Sequence, residues 1–120
     1  MRAPQIVRFD PPDAPGVEDR PRPERLEQGN PRRETWSLYE SADGQMSAGI
    51  WACEVGRWRI VFPQGKEEYF FVLEGWVRLH RRDGGHTDVR AGQGAVIPGG
   101  FEGAFEVIEP VRKHFVVVER

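Results

Sequence analysis

The sequence contains one cysteine, Cys53, and no apolar segment near the roughly 18 residues that a membrane-spanning helix needs. A lone cysteine excludes an internal disulfide and a cysteine-based zinc cluster. The opening MRAPQIVRFDPP has no apolar stretch of the kind found in signal peptides. Neither sign of charge is in excess, because 17 Lys and Arg residues balance 19 Asp and Glu residues. We therefore expect a cytoplasmic protein with no nucleic-acid and no membrane partner.

Residues 1–33 differ in composition from the rest of the chain. They hold seven of the ten prolines and thirteen charged residues, but only eight hydrophobic ones. Such a segment cannot bury enough apolar surface to offset its own ordering entropy. We interpret it as an extended, Pro-rich N-terminal arm with a short helical turn around 23–28. Two alternatives stay open: a floppy tail, or an arm that adds a strand to its own or a neighbour's sheet through Ile6, Val7 and Phe9.

Residues 34–120 hold 12 of the 14 glycines and alternate short β-rich runs with turn signals. No window shows a helical period. The runs predict strands at 36–39, 47–54, 57–62, 68–73, 76–82, 87–90, 95–97, 103–109 and 113–119. Many short strands separated by turns are typical of a β-sandwich or a β-barrel. The sequence therefore predicts one all-β domain over residues 34–120.

Two stretches match halves of the signature motifs of the cupin superfamily. The segment from Glu68 to Gly75 fits the E-x6-G half of the first motif, and Gly92-x5-Pro98-x-Gly100 fits the start of the second. The strings GIWACEVGRWR, EEYFFVLEGWVRL, AGQGAVIPGGFEGAFEV and IEPVRKHF then occur in order. Over residues 36–120 the chain resembles the small single-domain cupins of the ureidoglycine aminohydrolase and ethanolamine-utilisation (EutQ-like) type. The resemblance implies an RmlC-like jelly-roll barrel, a double-stranded β-helix, and a homodimer.

Most residues that hold a divalent metal in a typical cupin have no counterpart here. The resemblance maps the glutamate ligand onto Glu68, but the three histidine ligands onto Phe62, Gln64 and Gly103. Imidazole is the usual nitrogen ligand of such metals. We therefore expect no tightly bound metal and no other cofactor, although a weakly held divalent metal on Glu68, Gln64 and a distant histidine stays open. The three histidines, His80, His86 and His114, are expected to be exposed or lightly packed at the surface.

Loss of the metal raises the question of what balances the charge of Glu68. If Glu68 faces inward, an unpaired buried carboxylate there would be costly. Lys113 begins the alternation Lys113, Phe115, Val117 on the last strand. We predict that Lys113 or its neighbour Arg112 points toward the barrel mouth and supplies part of the missing positive charge. The alternative is a solvated lysine at the start of a strand.

The candidate site combines these charged groups with apolar neighbours on the same face. Its predicted ligand-binding residues are Phe62, Gln64, Glu68, Phe70, Phe105 and Lys113. Glu68 is the candidate general base and Lys113 its charge partner. Cys53 is expected to be a small buried residue rather than a nucleophile, because no histidine is near it in sequence.

Three functions fit this pattern. The leading one is binding of a small polar or acidic metabolite in the barrel, without a tightly held metal. The second is an enzyme, an aminohydrolase, lyase or isomerase, that acts on a small nitrogenous compound through Glu68. The third is a structural cupin whose barrel is filled by its own side chains.

Overall fold

The structure, a computed structural model, describes residues 3–120 and is almost entirely β, as predicted. A single turn of 3-10 helix, Pro23–Arg25, lies between the first two strands. The nine strands of the described residues are β1 Val17–Asp19, β2 Leu26–Gln28, β3 Arg33–Glu40, β4 Met46–Cys53, β5 Gly56–Val61, β6 Lys66–Arg81, β7 His86–Arg90, β8 Gly94–Ile97 and β9 Glu102–Glu119. Within residues 3–120 no helix is long and apolar enough to cross a membrane.

Two long strands organise the barrel. β6 and β9 pair with each other in an antiparallel ladder along nearly their whole length. β9 also pairs with β4 along its second half and with β5 along its first half. β6 pairs with β7 and β8 on its other edge. Because the two halves of both strands carry different partners, the sheet curls around a common interior, as the cupin jelly roll requires.

The prediction of separate strands within β6 and within β9 is wrong. β6 runs without a reversal through Glu74-Gly75, the gap between the predicted strands 68–73 and 76–82, and its register with β9 shifts there instead. Gly75 has φ 94°, a left-handed conformation that favours glycine. It produces a bulge that bends the strand where two separate strands were predicted. β9 likewise continues from Glu102 to Glu119 through Pro110.

The N-terminal arm contributes to the sheet, but not through the predicted residues. β1 pairs with β3, and β2 pairs with β5, so the arm covers both edges of the β3-β4-β9-β5 sheet. Ile6, Val7 and Phe9 form no strand, and Ile6 is 94% exposed. The nearby Pro4, together with the prolines that follow Phe9, removes backbone donors that a strand would need. The boundary at residue 33 stays a prediction.

Alternation along the strands sends one set of side chains into the barrel. Phe70, Val72, Val77 and Val107 are completely buried, and they belong to the large apolar cluster at the barrel centre. Cys53 is also buried, as expected, and is 5% exposed. This packed half of the interior leaves a hollow at the other end.

Candidate ligand site in the barrel

A cavity of about 290 Å³ lies between the inward faces of β3, β4, β5, β6, β8 and β9. Its walls are mostly apolar, since alternation along the surrounding strands points hydrophobic side chains inward. The aromatic wall residues are Trp51, Trp58, Phe62, Phe105 and Phe115. Trp58 stacks on Phe105 with ring centroids 5.3 Å apart, and Trp51 meets Phe105 edge to face at 5.7 Å. These ring contacts fix the shape of the wall before any ligand arrives.

A buried ion pair lies on the cavity wall. Lys113 Nζ donates a hydrogen bond of 2.8 Å to Glu68 Oε2. The side chains are only 5% and 13% exposed, respectively. The two charges therefore neutralise each other in a poorly solvated place, where an isolated charge would be costly. Within residues 3–120 no group donates a hydrogen bond to the other oxygen of Glu68, Oε1.

Three aromatic rings surround the ammonium group of Lys113. Its Nζ atom lies 4.3 Å from the ring centroid of Phe70, 4.6 Å from that of Trp51 and 4.9 Å from that of Phe105. A cation within about 6 Å of a ring face is attracted to it. The strand register explains the arrangement, because Lys113 is opposite Trp51 on β4 and opposite Val72 on β6.

The residues present do not fit a resident cupin metal. Of the positions where the family carries histidine, Phe62 offers a hydrocarbon ring, Gly103 has no side chain, and Gln64 is exposed. The remaining ligand, Glu68, already binds an ammonium group. Within the part of the chain that the structure describes, no three His, Cys, Asp or Glu side chains form a group able to hold a metal.

The histidines lie away from the cavity. His80 forms a 2.8 Å contact with Glu106 Oε1, and both are outward-facing residues. His114 packs edge to face against Phe9, with ring centroids 5.1 Å apart. His86 is exposed on β7. None of the three is a wall residue of the cavity.

Four of the six predicted ligand-binding residues line the cavity, namely Phe62, Glu68, Phe105 and Lys113. The other two predictions differ from the structure. Gln64 is exposed in the turn after β5, where its side chain lies against Gly100. Phe70 is completely buried beneath the Lys113 ammonium and does not reach the cavity surface. The ligand-binding and catalytic roles of the remaining four stay predictions.

Several wall residues were not included in the predicted site. Trp51 and Trp58 line the cavity but are not among the predicted ligand-binding residues, although strand alternation indicates that both side chains face inward. Arg33 and Lys66 also line the cavity. Arg33 was assigned to the arm by composition, and only the β3–β4 pairing brings it to the barrel.

Comparison with known proteins decides the family. The model of the EutQ-like cupin domain matches residues 40–115. The chain belongs to the EutQ-like cupin family. Among curated proteins no sequence matches this EutQ-like cupin at a significant level.

Solved structures show the same fold. A protein of unknown function from Pseudomonas syringae, of the DUF861 family, aligns with 88% of this chain at a TM-score of 0.77 and 21% identity. The chain spans only 45% of that protein. The Clostridium difficile EutQ protein aligns with 79% of the chain, over 75% of its own length, at a TM-score of 0.64 and 20% identity. A Thermotoga maritima DUF861 protein is 32% identical over 55% of this chain and 73% of its own, with a TM-score of 0.51.

Proposed function

We propose that this EutQ-like cupin binds a small polar molecule in the barrel cavity, without a resident metal ion. The observation that carries the proposal is the aromatic-walled cavity of about 290 Å³ with the Lys113–Glu68 pair on its wall. Ligand pockets typically combine apolar walls with a few fixed polar groups, over volumes from about 300 Å³ upward. The cavity is at the small end of that range, which favours a compact metabolite. A barrel filled by its own side chains would leave no such space.

The pair supplies the polar recognition. The hydrogen bond from Lys113 fixes Oε2 of Glu68, while Oε1 accepts none from residues 3–120. A ligand N–H or O–H group can therefore donate to Oε1, and the ammonium can donate to a ligand oxygen. Both groups are held before the ligand binds, so little side-chain entropy is lost on binding. The Lys113 ammonium takes the place of the positive charge that a metal supplies in other cupins.

Four tryptophans allow a direct test by NMR on ¹⁵N-labelled protein. Trp51 and Trp58 line the cavity, whereas Trp36 donates its indole N–H to the Ala14 carbonyl and Trp76 stacks under Arg90. The probes are benzyl alcohol and benzamide, two compact molecules with one polar group. We expect saturable shifts of the Trp51 and Trp58 indole signals, and unchanged signals from the other two.

Two neighbouring valines provide the matched variants. Val117 lines the cavity, and Val116 lies next to it on the outward face of β9. Val117→Phe should fill the cavity and abolish the indole shifts, whereas Val116→Phe should preserve them. Probes that leave Trp51 and Trp58 unmoved, or that act equally on both variants, would overturn the proposal.

Metal analysis tests the second half of the proposal. Protein expressed in medium supplemented with manganese, iron, nickel and zinc should purify with much less than one metal ion per chain. An equimolar metal that Glu68→Gln removes would show instead that the carboxylate is a ligand. The variant Glu67→Gln, whose residue faces outward and pairs with Arg120, is the control.

A catalytic role for Glu68 is the second candidate, favoured by its unpaired Oε1 beside the cavity. In a lyase or an isomerase, Glu68 would act as the general base on the substrate itself. In an aminohydrolase, Glu68 takes a proton from water as the water oxygen bonds to an amide carbon of a small nitrogenous substrate. The carbon–nitrogen bond then breaks, and the proton leaves with the nitrogen as ammonia. Ammonia release from small amides, benzamide included, should be lost in Glu68→Gln while benzamide binding persists. Absence of turnover across the panel would contradict this candidate.

A further inference from the structure

A second cavity, of about 270 Å³, adjoins the barrel cavity. The two share five wall residues, namely Arg33, Trp58, Ile60, Phe62 and Lys66. The second cavity lies where the 3-10 helix of the arm contacts β5, and buried Pro21 forms part of its wall. We call it the vestibule, because a ligand in the barrel that extends past Phe62 enters it.

The vestibule carries positive charge only. Its charged wall residues are Arg22, Arg25, Arg33, Arg59 and Lys66, with no Asp or Glu among the lining residues. This concentration is notable in a chain whose formal net charge is -2. Low-dielectric walls focus the field of such like charges toward the space between them.

Three of these five cations form no ion pair within residues 3–120. Arg33 forms a two-pronged ion pair with Asp19, and Lys66 has a looser contact of 3.8 Å with Glu119 Oε1. Within residues 3–120, no carboxylate pairs with Arg22, Arg25 or Arg59. Of the fourteen arginines within residues 3–120, eight form ion pairs, and three of the six that do not line the vestibule. Three guanidinium groups are thus available together beside one cavity.

We propose that the vestibule is an anion subsite, which binds the doubly charged oxyanion end of the molecule whose body occupies the barrel. The inference rests on the proposed function and specifies its ligand class: a compact molecule that ends in a phosphate ester or a pair of carboxylates. Guanidinium groups present fixed forks of N–H donors that match the oxygens of both groups. The aromatic barrel walls accept the less polar body, and the Lys113–Glu68 pair binds its polar substituent.

The local sequence explains why the arginines converge. Pro23 begins the single 3-10 turn, which places Arg22 and Arg25 at its two ends. β2 follows at once and pairs Leu26 with Trp58 on β5, so the turn is tied to the strand that bears Arg59. The arm therefore completes a site that the barrel strands alone would leave open on one side.

The experiment compares a dianionic probe with a neutral probe of similar size. Phenyl phosphate and phthalate represent the two sources of oxyanion, benzyl alcohol is the neutral probe, and inorganic phosphate tests the vestibule alone. We expect phenyl phosphate or phthalate to bind at least about tenfold more tightly than benzyl alcohol. The reason is that hydrogen bonds from the vestibule guanidinium groups to the oxyanion are available to the dianions only. Added salt should weaken binding of the dianion but not of the alcohol. The dianion that binds more tightly shows whether the natural ligand ends in a phosphate ester or in a pair of carboxylates.

Two charge-matched double variants locate the effect. Arg25→Gln with Arg59→Gln removes two vestibule cations and should abolish the preference for the dianion, while benzyl alcohol affinity stays within about twofold of the original. Arg8→Gln with Arg32→Gln lowers the net charge equally, at two exposed ion pairs outside both cavities, and should preserve the preference. Equal loss in both double variants would indicate a long-range charge effect and overturn the subsite.

The outcomes separate this inference from the proposed function. If benzyl alcohol shifts Trp51 and Trp58 but dianions bind no more tightly, the vestibule inference is wrong and barrel binding stands. If inorganic phosphate binds through Arg25 and Arg59 while the neutral probes bind nowhere, the anion subsite stands and the proposed function is wrong. If no probe binds, both are wrong.

Discussion

At the scale of single residues, the Lys113–Glu68 pair makes the strongest prediction about stability. Glu68→Gln leaves a nearly buried ammonium without its counter-charge, so we expect the free energy of unfolding to fall by about 1–3 kcal/mol. Lys113→Met leaves the carboxylate unpaired and should cost more, about 3–5 kcal/mol. Urea denaturation of both variants provides the measurement.

The double variant Glu68→Gln with Lys113→Met is the control for that pair. Its loss of stability should be clearly smaller than the sum of the two single losses, since neither charge is then left alone. A neutral or stabilising effect of Glu68→Gln would contradict a buried pair. Such an effect is expected only if the buried carboxylate has no counter-charge, because its removal would then remove a desolvation cost.

The thiol of Cys53 makes a second prediction. Burial is the main cause that raises the pKa of this thiol, to about 12. The thiolate is the reactive form, so at about pH 8 the folded protein should react with Ellman's reagent far more slowly than the guanidinium-unfolded chain. Rapid, stoichiometric modification of the folded protein would contradict this burial and would make Cys53 a candidate nucleophile.

Alternation along a strand allows the sequence to predict which residues of the site face inward. It placed Glu68 on an inward face and offered Lys113 or Arg112 as its charge partner, and the structure brings Lys113 to 2.8 Å from Glu68. It could not place Trp51 over the Lys113 ammonium, because that contact depends on the register between β4 and β9. Gln64 differed for another reason: motif spacing located the residue, but a turn rather than a strand decides where its side chain points.

At the scale of elements, β6 and β9 show why turn signals are ambiguous. Glu74-Gly75 has the composition of a hairpin turn, yet the strand continues through it. A glycine with positive φ serves equally well in a reversal and in a bulge. Only the ladder with β9 distinguishes the two, and long-range pairing of this kind is absent from local composition. The inner faces were predictable for the same strands because alternation continues on both sides of the bulge.

Gly75 allows a direct comparison with a glycine of similar backbone conformation. Gly75 and Gly92 have φ 94° and 86°. A Cβ at Gly75 would collide with the Pro110 backbone, whereas one at Gly92 would meet no atom within 4 Å. We expect Gly92→Ala to cost about 1–2 kcal/mol of unfolding free energy from the left-handed conformation alone. Gly75→Ala should cost several times more, or prevent folding, in urea denaturation. Equal costs would contradict close packing of β6 on β9 at the bulge.

At the scale of the whole molecule, the arm and the barrel form one binding architecture. β1 and β2 cover the two edges of the β3-β4-β9-β5 sheet, and the 3-10 turn between them forms the rim of the vestibule. Composition alone separated residues 1–33 from the barrel, because a Pro-rich, charged segment resembles a tail. The pairing of β2 with β5 makes these charged residues part of the cavity wall, because it holds Arg22 and Arg25 beside Lys66.

The outward face of the barrel determines part of the response to acid. On that face Arg78 Nε donates a 2.7 Å hydrogen bond to Asp88 Oδ1, and this bond is the main cause that lowers the pKa of Asp88 below 3.8. The folded protein thus keeps this carboxylate ionised at a pH where the unfolded chain binds a proton. Stability from this group is therefore complete above pH 3.8 and is lost as the pH falls through the lowered pKa.

Asp88→Asn tests this linkage across the pH range. The difference in unfolding free energy between the original protein and the variant should be constant well above pH 3.8 and should narrow as the pH falls below it. Arg78→Gln removes the same hydrogen bonds from the other side, so its difference from the original protein should narrow over the same range. Urea denaturation at a series of pH values measures both. Differences that stay constant down to the acid limit would show that the pair is not formed in solution, and that the loss of stability in acid arises elsewhere in the fold.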